Sequence, residues 1–171
     1  MPTLIDRNGV RADGWVRFNG DAASLPPDAN VLLPLDDWRE FRQCWLSRKG
    51  KVGVALAPSD DPSAIAADLP HLSLVTIDFP SFTDGRGYSI ARLLRQRHGY
   101  AGELRATGDV LRDQLFLMAR VGFDAWALRD DQDAAECLEA FADFSEAYQA
   151  GADRGPLFER RAARAAETVA A

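Results

Sequence analysis

Short aliphatic runs alternate with helical periods along most of the chain. From Val31 the pattern reads Val31–Leu35 then 36–48, Lys51–Ala57 then 61–69, and Leu72–Phe79 then 86–98, followed by Glu103–Thr107 then 109–121 and Ala125–Arg129 then 132–149. Each run is short and β-branched or aliphatic, and each helical period carries apolar residues three and four apart. The predicted strands start 20, 21, 31 and 22 residues apart, the length of a compact strand–loop–helix unit. Such alternation predicts an α/β protein of about five βα units on a parallel sheet, arranged as an open doubly wound sheet or a partial TIM-like barrel. A complete barrel typically needs about 250 residues, and this chain has 171.

Before this core, residues 3–18 read as a β-ribbon, with a turn at Asn8-Gly9 and strict alternation through Trp15-Val16-Arg17-Phe18. Residues 19–30 cluster Gly, Pro and polar residues and read as a connecting loop. The expected organisation is a single domain over 1–171: an N-terminal ribbon and loop (1–30), a βα core (31–150) and a peripheral helical tail (151–171) beginning near Gly151 and Gly155-Pro156. Within the core, Asp36 and Asp37 favour the start of the first helix. Trp38, Phe41, Trp45 and Leu46 recur on a face expected to be buried, and Asp109 is a candidate N-cap after Gly108.

Composition narrows the function classes. With 47% apolar and 27% charged residues the chain builds a sizeable core. Its 18 Arg and 2 Lys stand against 26 acids, and a net charge of −6 argues against broad nucleic-acid binding. The charge is uneven, −4 over residues 1–85, +4 over 86–129 and −6 over 130–171, so an acidic ligand or partner is steered to the middle segment. Cys44 and Cys137, far apart, exclude a disulfide framework, a CxxC pair and Cys-based zinc or iron–sulfur ligation, and both read as buried thiols. His71 and His98 show no metal-ligand spacing, so no metal site is expected. With neither a signal-like N-terminus nor a membrane-length apolar run, the expected location is the cytoplasm.

Ligands of parallel α/β proteins bind at the carboxyl ends of the strands. There, after the third strand, lies the longest connection, Asp78-Phe79-Pro80-Ser81-Phe82-Thr83-Asp84-Gly85-Arg86-Gly87-Tyr88-Ser89. Gly85 and Gly87 flank Arg86 where a helix begins, which suits an anion cradle completed by the Thr83 and Ser89 hydroxyls. The alternative is a shaped turn in which Asp84 caps the helix and Arg86 pairs with an acid. Neither a Walker loop nor a dinucleotide fingerprint is present. In the next strand Glu103, Arg105 and Thr107 share one face, with Asp109, Asp113 and Gln114 close behind. Arg105 there reads either as a ligand contact beside Arg86 or as a member of a salt-bridge network. Arg92, Arg95 and Arg97 are assigned to a solvated helix face opposite Ile90, Leu93 and Leu94. Trp126, Phe141, Phe144 and Tyr148 suit a core or a homodimer interface.

The stretches Phe79-Pro80-Ser81-Phe82-Thr83-Asp84-Gly85-Arg86-Gly87-Tyr88-Ser89-Ile90-Ala91-Arg92-Leu93-Leu94-Arg95 and Gly102-Glu103-Leu104-Arg105-Ala106-Thr107-Gly108-Asp109-Val110-Leu111-Arg112-Asp113-Gln114, with Gly122-Phe123-Asp124, resemble a bacterial family of unknown function. Its members are often labelled probable oxidoreductases of sulfite reduction. The resemblance implies a role in assimilatory sulfur metabolism and a working site among Asp84, Arg86, Arg105, Asp109, Asp113 and Gln114. Three functional readings are open. One is an accessory protein that binds a small anionic ligand or docks on sulfite reductase. Another is an oxidoreductase of partial-barrel type, with Asp84, Asp109 or Asp113 as acid–base group and a phosphate-bearing cofactor such as flavin mononucleotide. The last is a structural dimeric subunit.

Overall fold

The computed structural model describes residues 2–152 and 155–160. Its eight strands are β1 (Leu4–Asp6), β2 (Gly9–Arg11), β3 (Trp15–Arg17), β4 (Asn30–Pro34), β5 (Val52–Leu56), β6 (Leu74–Phe79), β7 (Glu103–Gly108) and β8 (Ala125–Ala127). They form one sheet in the order β2-β1-β8-β7-β6-β5-β4-β3. Strands β3 to β8 are parallel and neighbours in chain order, and β1 closes antiparallel onto both β8 and β2. The doubly wound alternative is therefore set aside, because the strand order never reverses and there is no switch point. Successive right-handed crossovers place the helices on one face.

The N-terminal segment makes the sheet curl. Strands β2 and β3 lie at opposite edges, yet only Ala12-Asp13-Gly14 joins them. In a flat eight-stranded sheet those edges would stand about 34 Å apart, whereas the step from Arg11 to Trp15 spans at most about 14 Å. The sheet is thus a curled half-barrel with the 12–14 link strapped across its mouth. The expected ribbon is divided accordingly: residues 4–11 are a hairpin on one edge, and Trp15–Arg17 runs parallel to β4 on the other.

Strands β4 to β8 are buried on both faces, apolar toward the helices and mixed on the concave side. The helix-facing set Val31, Leu33, Val54, Val75, Ile77, Leu104 and Trp126 joins the main core. The concave face carries Leu32, Leu74, Thr76, Arg105, Thr107 and Ala125, all buried. Gly53 makes room there: a Cβ would lie 3.2 Å from the Trp15 ring and 2.8 Å from the Leu74 carbonyl.

The helices that pack in the βα core are α1 (Leu35–Leu46), α2 (Arg86–Arg92), α3 (Arg112–Val121) and α4 (Ala134–Glu139). Expected helix 61–69 is instead two 3₁₀ turns, Pro62–Ile65 and Leu69–His71, each with a proline among its first two residues. Expected helix 86–98 becomes a π turn at Leu93–Arg97, and 132–149 yields only α4 and a 3₁₀ turn at Ala140–Ala142. Helix α1 kinks at Phe41, which stays 48% exposed while Trp38 and Trp45 are buried. Cys44 is exposed rather than buried, and Cys137 is buried as expected. Phe144 and Tyr148 are exposed, whereas Trp126 packs on Phe141 in the core. The 151–171 tail falls largely outside the described residues. No helix among them is long and apolar enough to cross a membrane.

Candidate functional site

The long connection after β6 lies at the carboxyl rim of the sheet and is built from its own short side chains. The Asp84 amide donates to the Ser81 carbonyl at 2.9 Å, and the Ser81 and Thr83 hydroxyls meet at 3.1 Å. Asp84 then accepts the backbone N–H of Arg86 at 3.1 Å and two guanidinium hydrogen bonds, from Nε at 3.0 Å and Nη2 at 2.6 Å. These bonds hold the Asp84 carboxyl below the usual carboxylate range and push Arg86 up. The two glycines differ in role. Gly85 has open space around it and a negative φ, whereas a Cβ on Gly87 would lie 2.6 Å from the Phe79 ring. Gly87 is therefore a packing glycine that seats α2 on Phe79. Ser89 is exposed on α2.

Asp109 and Gln114 reach this loop, and both hold its backbone. Asp109 Oδ2 accepts the Phe82 N–H at 2.7 Å, and Gln114 Nε2 donates to the Phe82 carbonyl at 3.3 Å. Gln114 Oε1 also accepts the Leu111 N–H at 3.0 Å, capping α3, a role expected of Asp109. Asp109 Oδ1 instead accepts from Arg129 at 2.7 Å, and Arg129 forks onto Asp131 at 2.6 and 2.7 Å. Arg129, then the Phe82 N–H, keep the Asp109 carboxyl below its ordinary value. The peptide of Phe82 is thus clamped on both sides while its ring stays 45% exposed. Asp113 is exposed on the first turn of α3. Its charge adds to burial in raising the Tyr88 phenol, against which a Gln114 hydrogen bond acts.

Arg105 belongs to a different cluster. It sits mid-strand on the concave face, 3% exposed, opposite Thr76 and Ala125. Its guanidinium pairs with Glu103 at 2.8 Å and with Asp13 of the strap at 3.0 Å, and Arg11 reaches the other Glu103 oxygen at 2.9 Å. Among the described residues no side-chain hydrogen bond or ion pair links Arg105, Glu103, Asp13 or Arg11 to Thr83, Asp84, Arg86, Asp109 or Gln114. The expected site therefore separates into a rim cluster (Thr83, Asp84, Arg86, Asp109, Gln114) and a concave ion-pair network around Arg105.

Sequence reasoning missed Arg11, Asp13, Arg95 and Arg129. The largest error is Arg95, expected on a solvated face. Its guanidinium turns inward to the carbonyls of Tyr100 (2.6 Å), Gly102 (2.9 Å) and Gly122 (2.9 Å) and pairs with Asp124. Only the left-handed φ of +113° at Gly122, which closes α3, was a local sign that this turn needs holding. Beside Arg95 lies a groove of about 620 Å³ whose wall mixes Asp6, Arg7, Arg11 and Asp124. Among the described residues no three His, Cys, Asp or Glu side chains converge as a metal set would.

These features define an α/β half-barrel protein with helices on its convex face, an ion-paired concave face and a clamped loop at its carboxyl rim. The chain belongs to the DUF934 family of bacterial proteins of unknown function, whose model matches residues 53–158. No curated protein matches the chain. The matched span runs from β5 onward and holds the whole rim cluster, while Arg11 of β2 and Asp13 of the strap lie outside it.

Proposed function

We propose that this chain is an accessory protein of assimilatory sulfite reduction that docks on sulfite reductase through its rim loop. The sulfur context rests on the resemblance stated above, and docking rather than anion binding rests on one observation. Side chains fix the Phe82 peptide at both its N–H and its carbonyl, so an exposed aromatic ring is presented on a rigid support. A pre-ordered apolar anchor loses little entropy on binding, which is how a few residues dominate an interface. The two arginines expected to receive an anion or a flavin phosphate are already engaged by carboxylates. The Arg86 guanidinium and N–H both donate to Asp84, and Arg105 is held by Glu103 and Asp13.

The test is titration of purified sulfite reductase by calorimetry with wild type, Phe82→Ala and Arg86→Ala, beside a thermal-shift screen against sulfite, sulfate, phosphate, adenosine phosphosulfates and flavin mononucleotide. Docking predicts reductase binding that Phe82→Ala weakens at least ~10-fold with its melting temperature unchanged. A stabilising shift with one of the small ligands that Arg86→Ala abolishes, with no reductase binding, overturns the reading.

A further inference from the structure

Helix α2 runs from the rim loop directly into the π turn Leu93–Arg97, where the His98 N–H reaches back to the Leu93 carbonyl at 3.1 Å. The inward side is saturated: Ile90, Ala91 and Leu94 are buried, and Arg95 turns onto its three carbonyls. The outward side is not. Ser89, Arg92, Leu93, Gln96 and Arg97 line an open groove of about 600 Å³, with Leu93, expected in the core, 38% exposed.

Among the described residues the cations along this groove are not paired with carboxylates, unlike the arginines that brace the core and the rim. Arg42, Arg86, Arg95, Arg105, Arg112 and Arg129 all pair with carboxylates. Arg92 donates instead to the neutral Gln96 amide at 2.9 Å, and among the described residues neither Arg92 nor Arg97 forms an ion pair. Asp61, whose carboxyl is held chiefly by Ser63, feels Arg97 only through space. Two exposed cations without an ion-pair partner among the described residues therefore flank an exposed leucine in a chain of net charge −6, within the 86–129 segment of net charge +4.

We infer that this groove docks an acidic amphipathic segment of a partner protein, its carboxylates on Arg92 and Arg97 and an apolar side chain on Leu93. This is helix-in-groove recognition with charged edges. A polyanionic surface such as RNA or a lipid bilayer is disfavoured, since two cations do not offset repulsion by the acidic remainder. The inference extends the docking reading above by stating the chemistry of the segment recognised, and it is tested separately.

The probe is a fluorescein-labelled amphipathic Glu/Leu peptide of about 15 residues, followed by anisotropy at low and ~0.15 M salt. Comparison probes are a Glu/Ser peptide of equal charge, phosphatidylserine vesicles and a short RNA duplex. Wild type is expected to bind the Glu/Leu peptide in a salt-sensitive way. Arg92→Glu/Arg97→Glu should weaken that binding at least ~10-fold and Leu93→Ser several-fold, with Arg92→Gln/Arg97→Gln intermediate and all unfolding midpoints unchanged. Equal binding of the Glu/Ser peptide, preference for vesicles or RNA, no peptide binding, or indifference to the charge reversal overturns the inference. The double reversal is also titrated with sulfite reductase. Reductase binding that needs Phe82 but ignores the reversal overturns the groove alone, whereas reversal-sensitive peptide binding without reductase binding supports the groove and overturns only the docking reading.

Discussion

Removal of the Arg105 guanidinium separates a scaffold role from a ligand role. Arg105 is 3% exposed on the concave face, bound to Glu103 at 2.8 Å and Asp13 at 3.0 Å. Deleting one partner of a buried ion pair typically costs about 3–5 kcal/mol, because a charge is left uncompensated and a cavity opens. Here the loss is eased, since Glu103 keeps Arg11 at 2.9 Å and Asp13 is half-exposed, where a lost pair costs about 1 kcal/mol or less. Arg105→Ala is therefore expected near the lower end, about 3 kcal/mol, with a fall in Tm of roughly 6–12 °C for a chain of this length. Arg105→Met fills much of the same space but leaves Glu103 and Asp13 without the guanidinium, so it should be destabilised by less than the alanine variant, the difference reporting the cavity. Urea unfolding followed by tryptophan fluorescence gives both values, with Asp13→Asn as the partner variant. A loss below about 1 kcal/mol for Arg105→Ala would refute the scaffold reading. Equal losses for alanine and methionine would assign the cost to the lost charge pairing, and a smaller loss for methionine would assign the difference to packing.

Further expectations follow from the rim and from α2. Gly87→Ala forces a Cβ to 2.6 Å from the Phe79 ring, which also packs against Tyr88 and Phe123, so a loss of about 1–3 kcal/mol is expected. Gly85→Ala, with open space and a negative φ, should be neutral or stabilising by up to about 1 kcal/mol; chemical denaturation of the pair showing equal losses would contradict this. Hydrogen bonding to Arg129 draws the Asp131 carboxyl down to about 2. Its folded value lies below the roughly 3.9 of an unfolded chain, so its tie to Arg129 stabilises fully above about pH 4 and fades as pH falls toward 2. An NMR titration should place Asp131 near 2 in wild type and return it toward the ordinary value in Arg129→Gln; an ordinary value in wild type would refute the pairing.

Much of the fold was legible in the sequence because it is set by local rules. Period-two and helical hydrophobic runs follow from backbone geometry, so five strands of the parallel sheet and their order of appearance could be read directly. The long third connection, its place at the carboxyl rim and the approach of Asp109 and Gln114 followed from strand direction alone. The glycine at 87 was recognised, though its reason, the Phe79 ring beneath it, was not.

What only the tertiary structure decided depends on curvature and on partners distant in sequence. Arg11 meets Glu103 across 92 residues, and Asp13 reaches Arg105 because the sheet curls until its edges are bridged by three residues. That curl sums the twist and packing of every strand, and no local window contains it. The same cause hid Arg95, whose carbonyl partners converge only when α2, α3 and β7 are packed together. Helical periodicity places such an arginine on a solvated face. Its inward turn is decided by the desolvated carbonyls it must satisfy, since buried backbone groups without partners cost more than ordering one long side chain.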